Sequence, residues 1–187
     1  MQVRQRLIEL RSFDNRWLKG VLSLPLQPVG GVLLVDGSAE GRLGAFLIQT
    51  AHVMATKGLA TLVVDVLTDD ESTVEDKRFD IELLSSRVQA AADGLSREVK
   101  VPGIKLGYFG MGTGAAAALV AAAQRKSLVG GVVCYAPEMK LADNYRARVV
   151  SPVLSLERKP SDTAEMIGNT AADWFLENSK AFTTKII

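Results

Sequence analysis

The sequence predicts an α/β fold: a three-layer sandwich in which a mostly parallel sheet of about seven strands carries helices on both faces. Short apolar runs alternate with amphipathic stretches along the chain, which is the signature of repeated strand–helix units. Runs such as Gly31-Val32-Leu33-Leu34-Val35-Asp36 are apolar at nearly every residue, as strands buried on both faces are. A glycine-rich turn, Gly110-Met111-Gly112-Thr113-Gly114, separates one apolar run from an alanine-rich helix.

Taken in order, Val3 to Leu10 and Leu18 to Leu24 read as two strands joined by a turn at Asp14-Asn15, an antiparallel pair at one sheet edge. Gly31 to Asp36 is the first buried parallel strand. Ala45 to Lys57 follows as a helix, with Leu47, Ala51, Met54 and Ala55 on one face. Ala60 to Val66 is the next strand, and Thr68 to Lys77 an acid-rich linker. From Phe79 to about Leu95 the residues Ile81, Leu84, Val88, Ala91 and Leu95 recur at spacings of three and four, one stripe of a helix. Lys105 to Phe109 is a strand, Ala115 to Ala123 a helix, and Gly131 to Tyr135 and Val149 to Leu156 are strands. A closing helix covers Ala171 to Asn178. No repeat or low-complexity tract interrupts this pattern, so residues 1–187 are expected to form a single domain.

Composition excludes several function classes. The 187 residues carry 22 Lys and Arg against 21 Asp and Glu, a net charge of +1 without a basic patch for nucleic acid. No apolar stretch approaches the ~20 residues of a membrane helix. Met1 leads into polar residues, so no secretory leader is expected and a cytoplasmic location is. The single cysteine, Cys134, excludes an intramolecular disulfide, and its apolar setting predicts a buried structural thiol. No cofactor is expected.

The turn at Gly110 to Gly114 stands where a hydrolase carries Gly-x-Ser-x-Gly. Strand, sharp glycine turn and helix form the setting that lifts a serine above a sheet as nucleophile. Around it, Leu106-Gly107-Tyr108-Phe109-Gly110 and Gly114 through Ala123 resemble the α/β-hydrolase superfamily, in its dienelactone-hydrolase-like branch, which includes hydrolases fused to or beside phosphoribosyltransferases. Gly58-Leu59-Ala60, Leu62 to Thr68, Arg78 to Leu84 and Ala171-Ala172-Asp173-Trp174-Phe175-Leu176 extend the resemblance over roughly the whole chain, with a break after Leu156.

The resemblance implies the hydrolase fold without its last strand, and it locates the catalytic stations. The nucleophile would fall at Gly112. The loop after the third strand reads Asp36-Gly37-Ser38, where the family usually has histidine-glycine and an oxyanion-hole amide. Asp162, after the strand ending at Leu156, would be the remnant of the family's acid. Between Asp162 and Trp174 there is no histidine, and too few residues for a helix plus a strand. The only histidine, His52, lies on the first helix beside its apolar stripe. A triad needs a base within hydrogen-bond reach of its nucleophile. The expected protein has therefore lost hydrolase chemistry and binds a small ligand or a protein. A working carboxylic-ester hydrolase with atypical residues, completed by a partner or altered at the nucleophile, is the alternative.

Rival patterns are weaker. Gly110-x-Gly112-x-x-Ala115 satisfies a loose dinucleotide fingerprint, but the next strand ends late, at Ala136-Pro137-Glu138. Ser38 and Thr113 read as turn and helix-cap residues rather than as substitute nucleophiles. The run Asp69-Asp70-Glu71 reads as a solvated loop rather than a metal site. A small anionic or polar ligand is expected at Asp36, Gly37, Ser38, Met111, Gly112 and Thr113, on amides of Met111 to Thr113 at a helix start. The uncharged strand Val149 to Leu156 is expected to be a sheet edge and a homodimer contact, limited by the donor missing at Pro152.

Overall fold

The computed structural model describes residues 2–37, 44–100 and 103–178. Its strands are β1 (Val3–Arg11), β2 (Trp17–Pro25), β3 (Gly30–Asp36), β4 (Leu59–Asp65), β5 (Leu106–Met111), β6 (Val129–Tyr135) and β7 (Val153–Leu156). The helices are α1 (Ala45–Thr56), α2 (Glu75–Phe79), α3 (Ile81–Val99), α4 (Thr113–Gln124), α5 (Asp143–Arg146) and α6 (Ala164–Glu177). The seven strands form one sheet in the order β1-β2-β4-β3-β5-β6-β7. β2 runs antiparallel to both of its neighbours, β1 and β4; β4, β3, β5, β6 and β7 are mutually parallel.

The period-two geometry of a strand sorts side chains between two cores. Leu33 and Val35 of β3 join Leu62, Val64 and Tyr108 beneath α3 and α4, among Leu84, Val88, Leu95 and Leu119. Val32 and Leu34 point the other way, to Val63, Phe109 and Val133 beneath α1 and α6, among Leu47, Met54, Ala171 and Phe175. Each fully buried Leu or Val side chain contributes about 1.5–3 kcal/mol of apolar transfer. From Thr113 to Ala123 every residue of α4 is buried, and its alanines let the helix lie close to the sheet and to α3.

Several boundaries move for local reasons. α3 starts at Ile81 because the Asp80 carboxylate accepts from the Leu83 amide at 3.0 Å, which separates Phe79 into the short α2. α6 begins at Ala164, well ahead of the expected Ala171, because Thr163 caps it by accepting from the Met166 amide at 3.2 Å. β5 runs on to Met111 and α4 begins at once at Thr113. β7 is confined to Val153–Leu156 rather than starting at Val149. There the Val149 amide donates back to the Arg146 carbonyl, and Pro152 constrains the backbone before the strand. α6 follows β7 through residues 157–163, which contain no strand, so among the described residues β7 is the sheet's edge.

One expectation fails at a single residue. Asp69 and Asp70 are exposed, as a solvated loop requires, but Glu71 is buried against Arg87 of α3, itself fully buried. The Arg87 guanidinium donates to Glu71 at 2.5 and 2.9 Å, to Asp14 at 2.7 Å and to the Val66 carbonyl at 2.8 Å. It joins the tip of the β1–β2 hairpin, the loop after β4 and α3 in one network. Hydrogen bonds from Arg87 pull the carboxyls of both Asp14 and Glu71 down to about 2. Burial alone would favour a neutral guanidine; these two acids hold it charged.

Candidate functional site

Parallel strands end at a common rim, and the crevice outside that rim is the usual ligand site of an open α/β sheet. Here the rim residues are Asp65 of β4, Asp36 of β3, Met111 of β5 and Tyr135 of β6, adjacent in that order by register.

Glycine shapes the turn after β5 in two different ways. Gly112 has φ +58°, a conformation that costs a residue with a side chain roughly 1–3 kcal/mol. A Cβ built on it meets nothing within 4 Å, so the position faces open space. A Cβ at Gly110 would instead strike the Ala115 Cα and come within 2.6 Å of the Ala115 nitrogen and the Gly114 oxygen. One at Gly114 would stand 2.5 Å from the Val35 carbonyl oxygen. The outer glycines let helix and sheet touch, while the central one lets the chain reverse. A residue so placed is held outward above the sheet, and here that residue is glycine.

The structure brings Asp36, Gly37, Met111, Gly112 and Thr113 together; Ser38 lies outside the described residues. Thr113 does not cap α4. Its buried hydroxyl donates to the Gly37 carbonyl at 2.6 Å and clamps the loop after β3 onto the start of the helix. The expected amide cradle is narrower than proposed from sequence, because Met111 still belongs to β5 and the Gly112 N–H donates to the Tyr135 carbonyl at 3.2 Å. The Gly112 carbonyl accepts from Ala115 and Glu138. Of the three amides, Thr113 alone stands at the first helical residue, where N–H groups lack intrahelical acceptors.

Asp162, matched by resemblance to the catalytic acid, accepts from the Tyr135 hydroxyl at 3.1 Å and from the Lys159 amide at 2.8 Å. Burial, then the bond to Asp162, raises the Tyr135 hydroxyl above its ordinary pKa, so it stays a neutral donor. Phe46 of α1 stacks on Tyr135 with ring centroids 5.6 Å apart. His52, the only histidine, is exposed on α1. Cys134 is buried, and desolvation pushes its thiol up to about 12. The described rim thus offers the Thr113 amide, a pair of acids and an aromatic wall, with no imidazole and no side chain at the outward position.

Sequence reasoning did not assemble Asp65, Tyr135 and Phe46 with these residues. The first two are detectable as the last residues of apolar strand runs, hence rim residues; the Phe46 stack has no sequence signal. Among the described residues no helix is long and apolar enough to cross a membrane, and no group of three or more His, Cys, Asp or Glu is placed to hold a metal ion.

Comparison with known proteins agrees with the fold. The chain is 28% identical to a dienelactone hydrolase from Anabaena variabilis, with a TM-score of 0.81 over 95% of this chain and 99% of that one. A dienelactone hydrolase-like promiscuous phosphotriesterase from metagenomic libraries shares the fold at 22% identity, with a TM-score of 0.68 over 95% of this chain and 78% of that one. A Mycobacterium tuberculosis protein named as a phosphoribosyl transferase is 38% identical over 135 residues, which is 72% of this chain. The chain spans about 30% of that curated relative's length. No protein-family model matches the chain.

Proposed function

We propose that this chain uses the dienelactone-hydrolase-like α/β fold as a scaffold without serine-hydrolase chemistry, acting as a small-ligand-binding or protein-interaction module. One observation carries the reading: the position that faces open space at the strand-to-helix turn is Gly112, which has no atom to attack a substrate. The acid at Asp162 is bonded to a tyrosine rather than to an imidazole. The module needs no cofactor, metal, nucleic acid or membrane in this reading, and a cytoplasmic setting suits it.

Turnover of activated esters by the purified chain is expected to equal that of a denatured control. Removing one triad member from a serine hydrolase costs about 10⁴–10⁶ in rate, and here both nucleophile and base are missing. Gly112→Ser has room for its hydroxyl but gains no general base, so it should stay orders of magnitude below a working hydrolase. Robust turnover by the unmodified chain, abolished by Thr113→Val or Ser38→Ala, would overturn the reading. It would favour instead an active ester hydrolase with atypical residues or one completed by a partner. The likeness to the Anabaena enzyme and the free space at Gly112 support that second reading.

The ligand expected at the rim is a small anion or polar molecule, met by the Thr113 amide and the positive end of α4. Asp36 and Asp65 oppose negative charge there, so binding should be weak. A thermal-shift screen with phosphates, carboxylates and nucleotides should show a small rise in Tm for at least one class. A flat response to all three would remove the anion site from the proposal.

A further inference from the structure

The two edges of the sheet are built differently. β1 carries Arg4, Arg6, Glu9 and Arg11, the charged side chains with which natural edge strands deter pairing. At the other edge, Val149 to Leu156 contains no charge at all. Parallel pairing turns the Pro152 and Leu156 carbonyls toward β6, where they accept from the Val132 and Ala136 amides at 2.9 Å. Because successive residues of a strand direct their backbone groups to opposite sides, Val153 and Ser155 face their N–H and C=O outward. The donor missing at Pro152 lies on the β6 side, so it does not limit the open edge, contrary to the sequence expectation.

The side chains of this edge are also one-sided. Leu154 and Leu156 pack into the core beneath α6. Val153 and Ser155 line the opposite face, where a groove of about 590 Å³ opens between the edge, Leu119 of α4 and the short α5. Val153 is 43% exposed. The rim of the groove has one acid, Asp143, and one base, Arg146, paired at 3.6 Å.

We infer that the outward edge of β7 and its groove are the contact between two copies of this chain. A two-fold axis through Leu154 places Leu154 opposite its own copy. It sets Val153 opposite the partner copy's Ser155, so that each pair exchanges two main-chain hydrogen bonds in an antiparallel ladder. Leu154 then forms the closer, non-hydrogen-bonded pair on the α6 face. A second copy's own edge satisfies every outward group of this one. The outward pattern of one donor and one acceptor at each of two residues is self-complementary about that axis. The balanced Asp143 and Arg146 bring no net like charge to the contact. The inference is independent of the elbow and of whether esters are hydrolysed.

Sedimentation equilibrium of the full chain across micromolar concentrations should give twice the chain mass. Ser155→Pro removes an outward donor without touching the ladder to β6, and Val153→Lys puts a charge in the contact. Each should raise the dimer dissociation constant at least about ten-fold, with circular dichroism confirming that the fold is kept. In hydrogen exchange, the Val153 and Ser155 amides should gain protection as concentration rises. A monomer at every concentration overturns the inference; if those two amides are nonetheless protected, another part of the same chain covers the edge. A dimer unaffected by both folded variants places the interface elsewhere and overturns it equally.

Discussion

Arg87→Met should destabilise the protein by about 3–5 kcal/mol at neutral pH, the cost of leaving the buried Glu71 without its closest cation. Arg87 is fully buried and donates to Glu71, Asp14 and the Val66 carbonyl at once. Methionine fills much of the volume but satisfies none of these oxygens. Glu71, itself buried, would keep the Thr68 amide and hydroxyl and the Arg16 guanidinium at 3.7 Å, but would lose its closest cation. The direction with pH follows from the depressed carboxyls. Asp14 and Glu71 titrate near 2 in the folded protein, below their ordinary 3.8 and 4.5. Their stabilisation is therefore complete above the ordinary values and is lost as pH falls from about 4.5 toward 2. Urea unfolding of the native and variant proteins should show the gap narrowing over that window. A difference under about 1 kcal/mol at pH 7, the range of an ordinary substitution, would mean that the network is not what holds the hairpin tip and the β4 loop to α3.

Gly110→Ala should cost about 3 kcal/mol or more, because overpacking against rigid atoms cannot relax by rotamer change. Everything its Cβ would meet is backbone of Gly114 and Ala115, so α4 must move away from β5 and from the loop after β3. Gly112→Ala makes the contrast. It meets no atoms and carries only the strain of positive φ, roughly 1–3 kcal/mol. Chemical denaturation of the pair should rank Gly110→Ala as the more damaging. Equal losses would show that turn strain, rather than helix-to-sheet contact, dominates here. The same contrast makes Gly112→Ser a fair test of chemistry, since the variant is expected to stay folded.

The layered α/β architecture was legible because burial leaves a periodic record in sequence. Continuous apolar runs marked β3, β4 and β6, and the stripe Ile81 to Leu95 marked α3. Boundaries set by single hydrogen bonds were less legible: the Asp80 and Thr163 caps moved helix starts, and the Val149 amide and Pro152 shortened the edge strand. At the candidate site, the glycine spacing correctly located the strand-to-helix turn. The use of each amide and hydroxyl did not follow from it. Thr113 looked like a cap and serves as a clamp to Gly37, while Gly112 donates its amide to Tyr135.

By itself, the sequence determined the alternation of strands and helices, the small residues at the turn, and the absence of a side chain at Gly112. These follow from local periodicity and from which residue stands where. Tertiary structure alone decided the pairings between distant segments. It turned Glu71 from a solvated acid into half of a buried ion pair, set Asp36 beside Asp65, bound Asp162 to Tyr135, and aimed Val153 and Ser155 outward at an open edge. The physical reason is that a charge or a backbone group has no fixed energy along a chain. Its worth depends on the partner and the burial that folding supplies, and those partners lie tens of residues away.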